Sequence, residues 1–474
     1  MKKCLSCCAV VLSLSLVAPG VPEVRADVKL PKVLSSHMVL QRQRPLPIWG
    51  WADPGEEVTV RLDKATAIAK ADAKGDWKVV LPAVKADGKA HCMTISGKNQ
   101  IVLDDILIGE VWIGSGQSNM EFSLWGSTGG REAVAAANYP QIRLLHVEKV
   151  QTPQPAKDIV VFNGLKIKNR PAPSPATGPA WKVCTPQSVP LFSAVLYYFG
   201  QRLHKELNVP LGLINSSWGG SPIEAWISGT KDGGMYNGMI APVKPFAIRG
   251  VIWYQGETNV LQKSGMKYYE KMQHLIGGWR RTWGCDFPFY FVQIAPFVGT
   301  PRWHYPEGEL TALWEAQAAS LKIPATGMVV VTDKVRDLTN IHPIDKLEVG
   351  NRLALWALAK DYGRRDLVYS GPLYKSMKVE GGKIRLSFAH VGGGLKSRDG
   401  KPLTEFEIAG ADGKFVPAEA AVAGNTILSA AKEVAAPTQV RFGWRNEANP
   451  NLVNKAGLPA SPFQTNNWQG GTGE

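Results

Sequence analysis

The chain has 474 residues, enough for two or three domains of ordinary size, and its 45% hydrophobic and 20% charged residues are those of a globular protein, not a disordered or fibrous one. A formal charge of +14 at pH 7 would suit an acidic glycan, a nucleic acid or a membrane face. Its basic residues are scattered and accompany no nucleic-acid motif, so the excess is read as solvated surface charge, with no nucleic-acid partner and no stable membrane insertion expected.

Residues 1–26 read as an export leader: Lys2 and Lys3 are basic, the apolar segment that follows is too short to span a bilayer, and Val24-Arg25-Ala26 places small residues where a signal peptidase reads. The chain is therefore expected to be exported, to a periplasm or to the outside of the cell. After the leader only Cys92, Cys184 and Cys285 remain, at wide spacing, which makes no metal-site pattern and allows at most one disulfide.

From 27 to 105 short alternating runs such as WGWADPGEEVTVRL and GDWKVVLP are separated by Pro54-Gly55 and Lys74-Gly75-Asp76, the rhythm of an antiparallel β domain. Between 106 and 365 the pattern changes. Apolar runs at 106–113, 210–214, 250–254, 289–294 and 327–332 do not alternate, as strands buried on both faces should not. Helix-period segments at 192–207, 268–283, 309–321 and 343–362 lie between them, and that succession predicts a parallel five-stranded sheet of α/β class. Alternation returns over 366–465, with Glu380-Gly381-Gly382 and Ala411-Asp412-Gly413 as hairpin turns, and a disordered tail is expected over 466–474.

Open α/β sheets carry their sites in loops beyond the carboxyl ends of the strands. Four polar loops fall there: Gly116-Gln117-Ser118-Asn119, Asn215-Ser216-Ser217-Trp218-Gly219-Gly220-Ser221, Gln255-Gly256-Glu257-Thr258-Asn259, and Asp337-Leu338-Thr339-Asn340-Ile341-His342. A serine after one strand is by itself an ordinary turn residue. Its coincidence with a histidine, a glycine pair and side-chain amides at one sheet edge points to acyl transfer, which needs a nucleophile, a base and donors for the developing oxyanion. In that scheme Ser118 attacks and His342 is the base. The Ser118 N–H, Gly219 or Gly220, and an amide of Gln255 or Asn259 hold the oxyanion.

The motifs IGEVWIGSGQSNM, SSWGGSPIEAWIS, IWYQGETN and NIHPIDKLEVGNRLA resemble those of the sialate O-acetylesterase family of carbohydrate esterases, within the SGNH-hydrolase superfamily. SHMVLQR near the start and RFGWRNEANPNLVNKAGLPASPF near the end are of the same type, so the resemblance covers nearly the whole chain after the leader. It implies an α/β/α sandwich flanked by small N-terminal and C-terminal antiparallel β domains, no metal or organic cofactor, and removal of O-acetyl groups from sialic acid or a related glycan sugar. Gln117, Glu257 and Glu224 match further positions of these blocks, where the resemblance implies a bracing role.

The chain departs from the superfamily at one point. Many members carry an Asp three residues before the histidine, and Thr339 stands there. Either Asp337 reaches the imidazole, or the enzyme runs on a Ser–His dyad. Two other readings are carried forward: an esterase for acetylated xylan or another polysaccharide, and a non-catalytic glycan binder using Trp49, Trp51, Trp125, Trp218, Trp226, Trp253 and Trp303 as stacking faces.

Overall fold

The computed structural model describes residues 27–161, 180–301, 303–466 and 470–472. The expected leader lies outside these residues. Of the expected tail, 466 and 470–472 are described, and Gly471 donates its N–H to the Ala318 carbonyl (2.8 Å).

The N-terminal region supplies β1 (Val39–Gln41), β2 (Leu46–Trp51), β3 (Glu57–Leu62), β4 (Ala65–Lys70), β5 (Asp76–Leu81) and β6 (His91–Ser96). Next comes β7 (Gln100–Gly116), a 17-residue strand that changes character along its length. Its first residues alternate between exposed and buried and pair antiparallel with β6, whereas every residue from Ile106 to Gly116 is buried. One-sided burial tolerates alternation and two-sided burial does not, so one strand serves both a solvated sheet and a buried one. The boundary expected between 105 and 106 therefore falls inside a continuous strand.

After β7 come α1 (Ser118–Glu121), α2 (Gly130–Ala135), β8 (Tyr139–His146), β9 (Lys182–Cys184), α3 (Ala194–Leu207), β10 (Leu211–Ser217) and β11 (Gly250–Tyr254). Then follow α4 (Glu257–Leu261), α5 (Tyr268–Trp283), β12 (Phe289–Val292), α6 (Glu309–Ala319), β13 (Thr326–Val329) and α7 (Lys346–Lys360). The sheet runs β13-β12-β11-β7-β10-β8-β9. All neighbours are parallel except β9, which pairs antiparallel with β8. Along this order the parallel strands number one more than expected, and β1 adds a short parallel pairing to β7 at Leu107 to Gly109. β8, sequence YPQIRLLH, was not foreseen because its proline and arginine break the apolar pattern. Arg143 is nevertheless buried, its guanidinium forked onto Asp105 of β7 at 2.5 and 3.0 Å.

Successive strand side chains point to opposite faces. Phe289 packs against Trp279 of α5 and its neighbour Tyr290 against Trp356 of α7, so helices cover both faces of the sheet. Ser193 caps α3 by accepting from Leu196 N (3.1 Å), and Asp345 caps α7 by accepting from Glu348 N (3.4 Å). Antiparallel strands between Leu373 and Gln464 enclose a separate core that includes Leu386, Ile408, Ile427, Val440 and Phe463. Both expected C-terminal hairpins form there. Cys92, Cys184 and Cys285 are free thiols, and burial pushes the Cys184 thiol up to about 12.

Candidate active site

Parallel pairing brings Ser217, Gly116 and Tyr254 side by side at the carboxyl ends of β10, β7 and β11. Gly116 has φ +131°, and a Cβ there would lie 2.2 Å from the Tyr254 carbonyl oxygen. Glycine thus lets the two strands stay paired to their last residues before the chain turns into α1. Gln117, buried behind the turn, donates its N–H to Tyr254 O (3.0 Å). Its Oε1 accepts from Gln255 Nε2 (3.0 Å), Gly256 N (3.3 Å) and Thr258 N (3.2 Å). The loop bearing Ser118 is thereby tied to the loop after β11.

Ser118 opens α1, and its Oγ lies 2.7 Å from Nε2 of His342 although 224 positions separate the two residues. Burial, together with the positive charge of Lys346, holds the imidazole below its ordinary range, while Glu121 acts in the opposite direction. A neutral imidazole at this distance can accept the hydroxyl proton. The Ser118 N–H, in the first turn of α1, has no intrahelical acceptor.

Gly219 borders the same spot, since a Cβ on it would stand 3.3 Å from Ser118 Cβ. Its N–H donates to Glu121 Oε2 (2.6 Å), and the other oxygen of Glu121 pairs with Lys149 Nζ. Gly220 follows at φ +74°, exposed to solvent with nothing packed over it.

The geometry places three of the candidate residues away from the roles considered for them. The Gln255 amide is buried and faces Gln117 Oε1, Ser221 O (3.1 Å) and Asn259 Oδ1 (2.7 Å). Asn259 spends its own amide on Glu224 Oε2 (3.0 Å) and Ser264 Oγ (3.1 Å). Both amides therefore tie loops together and have no hydrogen left for an oxyanion. Asp337 is exposed, and its Oδ1 accepts from Thr339 N (2.8 Å) and Thr339 Oγ1 (2.6 Å). Among the described residues it has no bond to His342.

Glu257 Oε1 accepts from Asn119 Nδ2 (2.6 Å) deep in the protein. Glu224 receives Asn259 and pairs with Lys271 (2.5 Å). Trp226 and Trp253 are fully buried and offer no stacking face, whereas Trp125 and Trp303 are among the exposed large side chains. Among the described residues no three or more of His, Cys, Asp and Glu gather to hold a metal ion.

Residues 108–358 match the profile of the family described as carbohydrate esterase, sialic acid-specific acetylesterase. The chain belongs to this family. The sialate O-acetylesterase of Pongo abelii is 30% identical over 91% of each chain, and that of Homo sapiens is 31% identical over 73% of each. A carbohydrate acetylesterase from Xanthomonas citri is similar in three dimensions, with a TM-score of 0.84 and 40% identity over 93% of this chain and all of that one. The protein is accordingly a carboxylic ester hydrolase of the carbohydrate acetylesterase kind.

Two residues of this esterase were missed in the sequence. Glu121 lies inside the GQSNMEF stretch, but only the fold turns its carboxylate onto Gly219. Lys346 follows His342 by four positions, at the start of α7, and nothing local signals that this lysine is fully buried.

Proposed function

We propose that the protein hydrolyses O-acetyl esters on a glycan sugar through a serine acyl-enzyme, with sialic acid as the sugar named for its curated relatives. The observation that carries this reading is the 2.7 Å contact between Ser118 Oγ and His342 Nε2, made across two loops at the carboxyl edge of a parallel sheet. In the first step Ser118 Oγ bonds to the acetyl carbon while His342 takes its proton, which passes to the departing sugar oxygen. In the second, His342 deprotonates a water that attacks the acetyl-enzyme and releases acetate and Ser118.

The oxyanion is held by the N–H groups of Ser118 and Gly219, the latter becoming available as the ester oxygen replaces the Glu121 carboxylate. The site works as a Ser–His dyad, since Asp337 is engaged by Thr339. In this reading the core is an SGNH-hydrolase-type sandwich, with 27–105 and 366–465 as the flanking β domains. Export belongs to the same reading, from the leader pattern of 1–26.

Ser118→Ala is expected to fold normally and to lose at least about 10³-fold in acetate release. A serine-directed fluorophosphonate should label Ser118 in the wild type alone. Acetate released by the alanine variant at the wild-type rate overturns the mechanism. Comparing O-acetylated sialoglycan with acetylated xylan tests the sugar, and faster turnover of xylan overturns the sialate assignment.

A further inference from the structure

Among the described residues no carboxylate bonds to His342 as the orienting acid of a triad does, so something else must hold it against Ser118. Its own N–H donates to Asn340 Oδ1 (2.9 Å), a bond local to the loop. A second tie reaches across the fold: Asn119, the residue after the nucleophile, donates from Nδ2 to the carbonyl of Ile341, the residue before the base, at 3.0 Å. The side chain next to Ser118 thus clasps the backbone next to His342.

Asn119 is fully buried and every polar atom of its side chain is used. Nδ2 also donates to Glu257 Oε1 (2.6 Å), and Oδ1 accepts from Lys346 Nζ (2.5 Å). Lys346 is equally buried, its ammonium 5.1 Å from the ring centroids of both Phe122 and Tyr254. Glu257 is 2% exposed, and its Oε2 has no partner among the described residues. An ammonium and a carboxylate bridged by a neutral amide are expensive to bury, and structural stability alone gives no reason to keep them there.

We propose that Asn119, Lys346 and Glu257 form a buried positioning relay that sets His342 against Ser118 through the backbone at Ile341, in place of the missing side-chain acid. The inference rests on the reading of Ser118 and His342 as nucleophile and base. The relay also has an electrostatic effect. Charged groups acting on His342 are Lys346 of α7 and Glu121 of α1, and those acting on Lys346 are Glu257 of α4 and Asp345. Burial pushes Lys346 down to about 7 and raises Glu257. While charged, Lys346 favours neutral His342, the form that can act as base.

The test uses the full chain carrying Lys346→Met, and separately Lys346→Met with Glu257→Gln, which removes both charges yet leaves an oxygen to accept from Asn119. Circular dichroism and thermal melting report the folded fraction. In both variants kcat should fall about tenfold or more with KM nearly unchanged, fluorophosphonate labelling of Ser118 should slow in parallel, and the acid limb of kcat/KM should move up by about 0.5–1 pH unit. An unmoved acid limb in folded variants, or a loss of rate that only tracks loss of folded protein, overturns the relay. If Ser118→Ala retains activity the underlying mechanism has failed instead, so the two failures are distinguishable.

Discussion

The two β regions on either side of the central sheet are built from similar alternating strands, yet they join it differently. The N-terminal region shares a strand with the site: β7 leaves the β6 pairing, enters the parallel sheet and ends at Gly116, two residues before Ser118. Its buried residues, among them Ile95 and Val60, belong to the same hydrophobic cluster as Trp112 and Trp253. The C-terminal region has its own cluster around Ile408 and Phe463. It touches the central region through bonds such as Ser461 Oγ to Gln293 Oε1 (3.1 Å) and Gln464 Nε2 to Glu315 Oε2 (3.0 Å). One region is built through the site by a continuous backbone; the other is docked beside it.

The most severe way to break the first arrangement is at the end of the shared strand. Gly116→Ala puts a Cβ against Tyr254 O and strains a positive φ, so a loss of about 2–5 kcal/mol in stability is expected. Chemical denaturation and acetate release should fall together, and retained activity at wild-type stability would show that the β7–β11 register tolerates a side chain.

A matched pair of cavities sharpens the contrast. Ile95→Ala and Ile408→Ala each remove a fully buried side chain at a cost of about 2–5 kcal/mol. The first should lower the main calorimetric transition and kcat/KM together. The second should shift a C-terminal transition and leave turnover per folded molecule unchanged. Equal effects of both on one transition would remove the distinction between shared and docked regions.

A smaller effect separates them by pH. His146 of β8 lies in the central sheet, held down to about 4 by burial, with the neighbouring Lys149 charge acting the same way. Asn215 Nδ2 stands 3.2 Å from its Nδ1, a contact that suits a neutral ring accepting the amide hydrogen. Below its ordinary value of about 6.5 the unfolded chain binds a proton that the folded chain does not, so stability should decline as pH falls toward about 4. Melting curves of His146→Gln should flatten the decline in the main transition and leave the C-terminal one alone. Least of all, Ser461→Ala should cost about 1 kcal/mol and leave kcat and KM untouched, because it cuts a bond that docks a region and does not position the site.

Much of this was legible in the sequence because it depends on local preference. Unbroken apolar runs give buried strands, and Gly116 is demanded by the turn it makes. β8 escaped because its burial of Arg143 depends on Asp105, 38 positions away, and no local pattern announces such a partner. The same blindness affected the site. Gln255 and Asn259 are obvious amides, but whether an amide faces substrate or another loop depends on acceptors such as Gln117 and Glu224 in other segments.

By itself, then, the sequence determined the class of fold, the order of the polar loops and the presence of Ser118 and His342 on two of them, since backbone periodicity and turn chemistry act over a few residues. Only the tertiary structure decided that Glu121 rests on Gly219 and that Lys346 lies buried against Asn119. Each of these depends on which buried partners satisfy a charge or a hydrogen bond, and the chain acquires those partners only when distant segments are packed together.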